Sequence, residues 1–519
     1  VDNDAVNQGW LCDKGRYNFE YLNSDSRLKT PLKKIDNELV EIEIQDVYSE
    51  LSEVIKDRQT KVNFLLGSNL TNEDYVAFKE FSEIISQSEK SFYLNDDMLH
   101  PGFFGENVEL AKVDDLNSSD AIVVWAEDLK EKIPVLYLRI RQAVKNGVKL
   151  VVFGHTNETL SDIAHVFYGK EIVSENFEIV KDISKLKEIK DLVIGKNITA
   201  ILGKSTPHQS DESITKLFEF LNSNSNSKVL NAYSKGNTYG AFQTLKNVKG
   251  LNDFVNDISE ENTDLLFIVG ADPVGRSVYS NQIKSIIEGL DTVVALDNFN
   301  HETSELANFV IPMSSTLGEK EGTFTNIEFR TSRIDKLVPS PGQTVSDWEF
   351  ITSLMNFAGL TVETNSLESL NKKAYENLDP SLSPVFDNLD KPSNLDGMVN
   401  ISKPKISSSD NNSNEAKFFT GEKLYGDSAT ERHSDSISLL GSKKYIEVSE
   451  GVIEKYNLTS GKCTLIQDEF EVAVSYEVNK SFPDDLIYIP TNRRELNKFD
   501  FSREIMIIPS QVKEALNVN

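Results

Sequence analysis

Two kinds of stretch alternate between residues 46 and 400. One is a short unbroken apolar run: "KVNFLLGSN" from Lys61, "SDAIVVWAED" from Ser119, "VKLVVFGH" from Val148, "NITAILGKS" from Asn197, "TDLLFIVGAD" from Thr263 and "DTVVALD" from Asp291. Runs of strand length with no polar alternation suit a parallel sheet covered on both faces. The other kind spaces its apolar residues by three and four. "DVYSELSEVIKDRQ" puts Val47, Leu51, Val54 and Ile55 on one helical stripe, and "TNEDYVAFKEFSEIIS", "IPVLYLRIRQAVKNG", "DESITKLFEFLNS" and "YSNQIKSIIEGL" behave alike. Thr71 is placed to cap the helix it opens, with Asp74 three residues on. Gly147 ends another. The alternation predicts an α/β fold with more than one Rossmann-like parallel unit. No matching repeat of roughly 20–50 residues is present, which excludes a solenoid.

The pattern differs at both ends. Residues 1–45 read as an irregular segment, "GWLCDKGRYNFEYL", followed by a strand pair in "RLKTPLKKIDNELVEIEI". Residues 401–436 are rich in Ser, Asn and Asp and read as a linker or long loop. "NSNSNS" at 222–227 reads as a smaller loop of that kind. Residues 437–519 carry "KYIEVS", "KCTLIQD", "FEVAVSYEV" and "DLIYIP", whose alternation around turns predicts a β-barrel-like domain. The expected division is 1–45, an α/β region 46–400, the linker 401–436 and a C-terminal β domain 437–519.

Charge and sulfur narrow the function classes. The 519 residues carry a formal net charge of −28, the opposite of the basic field that nucleic-acid binding requires. No run reaches the roughly 18 apolar residues of a membrane helix. The two cysteines, Cys12 and Cys463, cannot build a disulfide framework, which points to a reducing compartment. The histidines His100, His155, His165, His208, His301 and His433 show no metal-ligand spacing and read as surface or turn residues. Cys463, within a strand pattern, reads as a small buried hydrophobe.

Three stretches hold candidate chemistry. "LLGSNLTNED" is a strand-to-helix turn, where main-chain N–H groups can cradle an anion or simply form a capped turn. "FIVGADPVGRSVY" is a second strand end; Gly270 permits close approach, and Asp272 can accept from a ribose or pterin N–H or cap the next helix. "LGEKEGTFTNIEFRTSR" has neither helix nor strand period; its Arg330 and Arg333 can bind anions or pair with Glu319 or Glu321. Cys12 lies beside Lys14 and Arg16, which favour a thiolate.

Taken together, these stretches resemble the molybdopterin oxidoreductase superfamily. "WLCDKGRYNFEYLNSDSRLKTPLKK" is similar to the segment that closes that family's cluster-binding region, with its C-x-K-G-R and R-L-x-x-P-L pattern. "VVALDNFNHETSELANFVIPMSSTLGEKEGTFTNIEFRTSR" followed by "SDWEFI" carries the most specific part of the resemblance. The C-terminal β region resembles the family's closing barrel. The resemblance implies pterin-site positions at Gly270, Asp272, Glu321, Gly322, Thr323, Asn326 and Arg330. It also implies that Cys12 is the fourth ligand of a 4Fe-4S cluster whose other three ligands lie upstream of Val1.

Within the superfamily, the formate dehydrogenase branch places a metal-ligating Cys or selenocysteine just before T-N-E-E. This chain has Leu70 there, in "GSNLTNED". Leucine offers a metal no lone pair, so no molybdenum is expected. The resemblance then implies the other branch, the large peripheral subunit of bacterial NADH-quinone oxidoreductase (respiratory complex I). That reading makes this portion a scaffold with a relic pterin domain, working with other peripheral-arm subunits and passing electrons from NADH through iron–sulfur clusters to quinone. It places the chain on the cytoplasmic side of the bacterial inner membrane, touching the membrane only through the complex. Alternatives are a molybdopterin-dependent formate dehydrogenase-like oxidoreductase and a cofactor-free interaction module.

Overall fold

A computed structural model describes residues 7–56, 60–85, 91–96, 109–125, 128–168, 187–203, 211–245, 248–260, 263–376, 417–441, 445–493, 495–501 and 503–510. The strands of its α/β region are, in chain order, β1 (Leu32–Ile35), β2 (Glu38–Glu41), β3 (Val62–Leu66), β4 (Phe92–Leu94), β5 (Ala121–Trp125), β6 (Lys149–Phe153), β7 (Val166–Tyr168), β8 (Asn197–Leu202), β9 (Asn226–Asn231), β10 (Leu265–Val269), β11 (Thr292–Asp297), β12 (Phe309–Pro312), β13 (Gly322–Thr325) and β14 (Thr331–Ile334).

Two large sheets result. One has seven strands in the order β2-β1-β12-β11-β10-β3-β4; the other has five, in the order β7-β6-β5-β8-β9, all parallel. In the first, β10 runs parallel between β3 and β11, so Gly67 and Gly270 leave adjacent strand ends. The apolar runs form these strands because each has cover on both faces. Phe64 and Leu66 face one core with Phe267 and Val269, under the helices Ile44–Lys56, Asn72–Ile85 and Asp347–Phe357. Leu65, Leu266 and Ile268 face the other, with Phe254, Ile283 and Ile287 of the helices Leu251–Glu260 and Ser280–Gly289. Phe64 and Phe267 stack at 5.6 Å. The strand pair expected in residues 1–45 is β1–β2, turning at Asp36 and Asn37, both with positive φ. It joins the first sheet through antiparallel pairing of β1 with β12.

The C-terminal domain is a six-stranded sheet ordered β15-β19-β16-β18-β17-β20, where β15 is Lys417–Gly421, β16 Tyr445–Val448, β17 Lys462–Gln467, β18 Phe470–Val478, β19 Leu486–Pro490 and β20 Met506–Pro509. Cys463 lies in its core, where burial pushes the thiol up to about 12.

Three expectations need correction. "NSNSNS" is not a loop: it ends the helix Asp211–Asn224 and starts β9, because neighbouring strands recruit its main chain whatever its side chains prefer. Residues 417–436, read as linker, supply β15 and the helix Ala429–Arg432, while 401–416 lie outside the described residues. The polar stretch at 318–333 contains the antiparallel hairpin β13–β14.

Candidate functional site

The carboxyl ends of β3 and β10 come close together. A Cβ on Gly67 would lie 2.2 Å from the Gly270 carbonyl oxygen, so this pair of turns admits no side chain at residue 67. Gly270 has φ +58, the left-handed region that glycine adopts freely. Leu70 is buried beside it, its Cδ2 3.3 Å from where a Gly270 Cβ would stand, and belongs to the main apolar core. Ser68, also buried in this turn, has a hydroxyl with no hydrogen-bond partner.

Asp272, two residues beyond Gly270, caps the one-turn helix Pro273–Arg276 by accepting from Gly275 N at 3.0 Å. It also accepts from Thr303 N at 3.2 Å and Thr303 Oγ1 at 2.6 Å, and lies 3.2 Å from His301 Nδ1. His301 Nε2 is 3.1 Å from Asp297 at the end of β11. Burial works against charge on the imidazole, but Asp272 first and then Asp297 hold it protonated well above the usual histidine range. Burial would likewise raise Asp272; His301, Thr303 and Gly275 hold it well below the usual carboxylate range. His301 is thus buried and ion-paired, not the surface or turn residue its sequence context suggested.

The most specific motif stretches interlock. Arg27 forms a buried two-pronged pair with Glu319, at 3.0 and 2.7 Å, both side chains no more than 2% exposed. Lys320 is buried between Asp74, at 2.6 Å, and Asp347. Burial opposes its ammonium, but the two carboxylates hold it charged above the usual lysine range. Burial dominates at Asp347 and pushes its carboxyl up to about 7. Glu73 accepts from Thr323 N at 2.7 Å and Thr323 Oγ1 at 2.8 Å; burial outweighs these bonds and lifts its carboxyl to about 7. Thr71 and Asp74 exchange the reciprocal capping bonds expected of them, at 3.1 and 2.8 Å.

Gly322 is required here: a Cβ would fall 2.6 Å from Thr71 Cγ2 and 2.8 Å from Glu73 Oε2. Asn326 folds the β13–β14 turn by accepting from Glu328 N and Arg330 N, and Phe329 sits in that turn at φ +58 with its ring buried. Glu321 is part-exposed, 4.0 Å from Arg333, which pairs at 2.7 Å with Asp335.

The seven expected pterin-site positions therefore fall into two groups. Gly270 and Asp272 sit at the end of β10; Glu321, Gly322, Thr323, Asn326 and Arg330 sit on the hairpin. Asn237 ties the turn after β3 to the hairpin: its Nδ2 donates to Leu70 O at 2.7 Å and to Asn72 Oδ1 at 3.0 Å, and its Oδ1 accepts from Thr325 N at 2.6 Å. Sequence reasoning missed Asn237, which lies in a polar stretch with no motif. It also missed Lys320, whose burial among acids has no sequence signal.

Cys12 stands apart. Its Sγ caps the helix Asp13–Tyr17, accepting from Gly15 N at 3.3 Å. Lys14, expected to favour a thiolate, pairs at 2.7 Å with Glu431. Among the described residues, no group of three His, Cys, Asp or Glu side chains is arranged to hold a metal ion.

The family model for molybdopterin oxidoreductases matches residues 27–357, which span both sheets and the interlocked motifs. The chain belongs to the molybdopterin oxidoreductase family. One relative is the F420-dependent formate dehydrogenase subunit alpha of Methanocaldococcus jannaschii, 23% identical over 440 residues, covering 68% of this chain and 65% of the relative. The NADPH-Fe(3+) oxidoreductase subunit alpha of Geobacter sulfurreducens is 22% identical, covering 68% and 52%. A subunit of the NADH-quinone oxidoreductase of Rhizobium meliloti is 24% identical over 242 residues, covering 45% and 28%. The chain thus spans less than two thirds of the length of these relatives. Among solved structures, acetylene hydratase from Pelobacter acetylenicus shares the fold, with a TM-score of 0.56 at 11% identity, covering 92% of this chain and 87% of that one.

A molybdenum-bearing pterin is implied by the family name, and this site does not fit its metal. Leu70 offers no donor and is packed into the core. Asp272 Oδ1, the main-chain N–H and hydroxyl of Thr323 and the side-chain oxygen of Asn326 are already bonded to the protein's own groups.

Proposed function

We propose that this chain is the core of an α-type subunit in a formate-dehydrogenase-like oxidoreductase complex, serving as scaffold and electron-transfer part rather than as a molybdenum centre. Kinship with formate dehydrogenases is supported by relatives that match 68% of the chain, against 45% for the NADH-quinone oxidoreductase subunit. The scaffold role is carried by one observation: Leu70 offers no donor atom and is buried in the core. Cys12, part-exposed in the N-terminal segment, is offered as one ligand of a 4Fe-4S cluster completed by residues outside those described.

A second reading, a peripheral-arm subunit of NADH-quinone oxidoreductase on the cytoplasmic side of the membrane, draws on the same Leu70 and on the partial match to the Rhizobium meliloti protein. Its partners would be the other subunits of that arm, and its contact with the membrane indirect. Among the described residues no helix is long and apolar enough to cross a membrane.

Metal analysis of the native full-length protein tests the proposal. Iron and acid-labile sulfide are expected, with iron falling in Cys12→Ser; molybdenum at one atom per chain, or formate-dependent dye reduction, would sink the scaffold reading. Co-purification with NADH-driven quinone reduction would favour the second reading.

A further inference from the structure

The seven-stranded sheet ends on one side at β2, which pairs only with β1 among the described residues. Ile42 N donates to Pro31 O at 2.9 Å, which fixes the phase of this ladder. Hydrogen-bonded pairs alternate along an antiparallel ladder, so Val40 with Lys33 and Glu38 with Ile35 are the bonded pairs in this register. Leu39 and Glu41 then aim their main-chain N–H and C=O groups away from β1, at the open edge. Lys34, opposite Leu39, agrees: its own N–H points the other way and donates to Asn308 O at 2.9 Å.

Side chains alternate along the strand as well. Leu39 packs on the core with Leu32, while Val40 and Ile35 stand on the opposite face, 38% and 48% exposed. Lys33 shares that face and is taken by Glu50 of the helix Ile44–Lys56, at 2.6 Å. Glu41 is exposed on the Leu39 face. Around the edge stand Asp36, Glu38, Glu41 and Glu43, all exposed and none in an ion pair among the described residues. An open edge is a template for another strand. Pairing with a second copy of β2 would set these carboxylates against their own kind.

We propose that β2 is a docking edge for an extended, basic segment of a partner polypeptide. Such a segment adds a strand to the sheet. Its main chain meets the outward N–H and C=O groups of Leu39 and Glu41. Alternation then fixes its side chains: aliphatic residues beside Val40, and lysine or arginine beside Glu41 and along the acidic rim. The carboxylates both oppose self-pairing and select the charge of the partner. The proposal is independent of the reading of Leu70, because it concerns only this edge.

Fluorescence anisotropy of a capped, labelled peptide of alternating lysine and valine, titrated with the full chain, tests it. Saturable binding is expected, weakening as salt is raised; the same peptide with glutamate for lysine is expected not to bind. Glu41→Gln is expected to weaken binding about threefold. Glu41→Pro also removes the outward N–H but leaves the β1 ladder intact. It is expected to bind about fivefold more weakly than Glu41→Gln. In the wild-type chain, the lysine–valine peptide is expected to slow amide exchange across 38–42, a measurement that needs no variant to fold. Equal binding by Glu41→Gln and Glu41→Pro overturns the proposal, since charge alone would then hold the peptide. So does a wild-type chain that does not bind, equal binding of the glutamate peptide, or exchange across 38–42 that the peptide leaves unchanged.

Discussion

At the residue scale, the molecule places charge where water is absent and balances it locally. Lys320 holds Asp74 and Asp347 together in the interior. Removing one partner of a buried pair strands the others, which costs far more than the pair contributes net. Lys320→Met is therefore expected to destabilise the chain by about 3–5 kcal/mol, read from urea unfolding. Glu73 has a clear pH signature. Its carboxyl is lifted from 4.5 to about 7, so the folded state holds a proton that the unfolded state has released. A carboxyl raised in this way lowers stability as pH climbs from 4.5 to 7 and has no further effect above that. The stability of wild type relative to Glu73→Gln should fall by ~3 kcal/mol over that interval. A flat difference would show that Glu73 is not buried as described.

At the element scale, the helix Asn72–Ile85 organises the site. It is capped at Thr71, packed on Phe64 and Phe267 through Phe78 and Phe81, and bound at its first turn to the hairpin. Thr71→Ala removes the acceptor for Asp74 N and should cost about 1 kcal/mol in thermal or chemical unfolding. Loss of a full denaturation transition on that change would mean the cap also positions Lys320. The helix and the strands β3, β5, β6, β8, β10 and β11 were legible from periodicity, because each is a continuous apolar run or an amphipathic stripe. The hairpin β13–β14 was not. Its Thr323 and Thr325 face polar partners, so no apolar alternation marks it. β9 was hidden for the opposite reason: its local composition favours a loop and only neighbouring main chain makes it a strand.

At the scale of the whole molecule, a buried charge helps tie the C-terminal region to the N-terminal segment. Glu431 is almost fully buried and pairs with Lys14. Burial alone would raise its carboxyl; Lys14, then Arg276 and Ser428, more than offset this and hold it at about 2. A carboxyl depressed in this way stabilises the folded state above 4.5 and loses that contribution as pH falls towards 2. The loss amounts to ~3 kcal/mol for this group. Acid titration followed by small-angle scattering should show the radius rising between these values, with Glu431→Gln already expanded at pH 5.

The sequence alone determined the fold class, the positions of the main parallel strands and the helix caps, because these depend on local periodicity and on hydrogen bonds between residues three apart. It also brought out the motif residues Gly322, Thr323 and Asp272, through the resemblance of their stretches to a family's motifs and not through a local rule. What those residues do was decided only by the tertiary structure. Arg27 and Glu319 are separated by 292 positions, Glu73 and Thr323 by 250, and no local rule pairs them. A polar motif free to meet a ligand and one satisfied by its own protein look alike along the chain. They differ in whether distant groups arrive to take up their donors and acceptors, and here Asn237, His301 and Glu73 do.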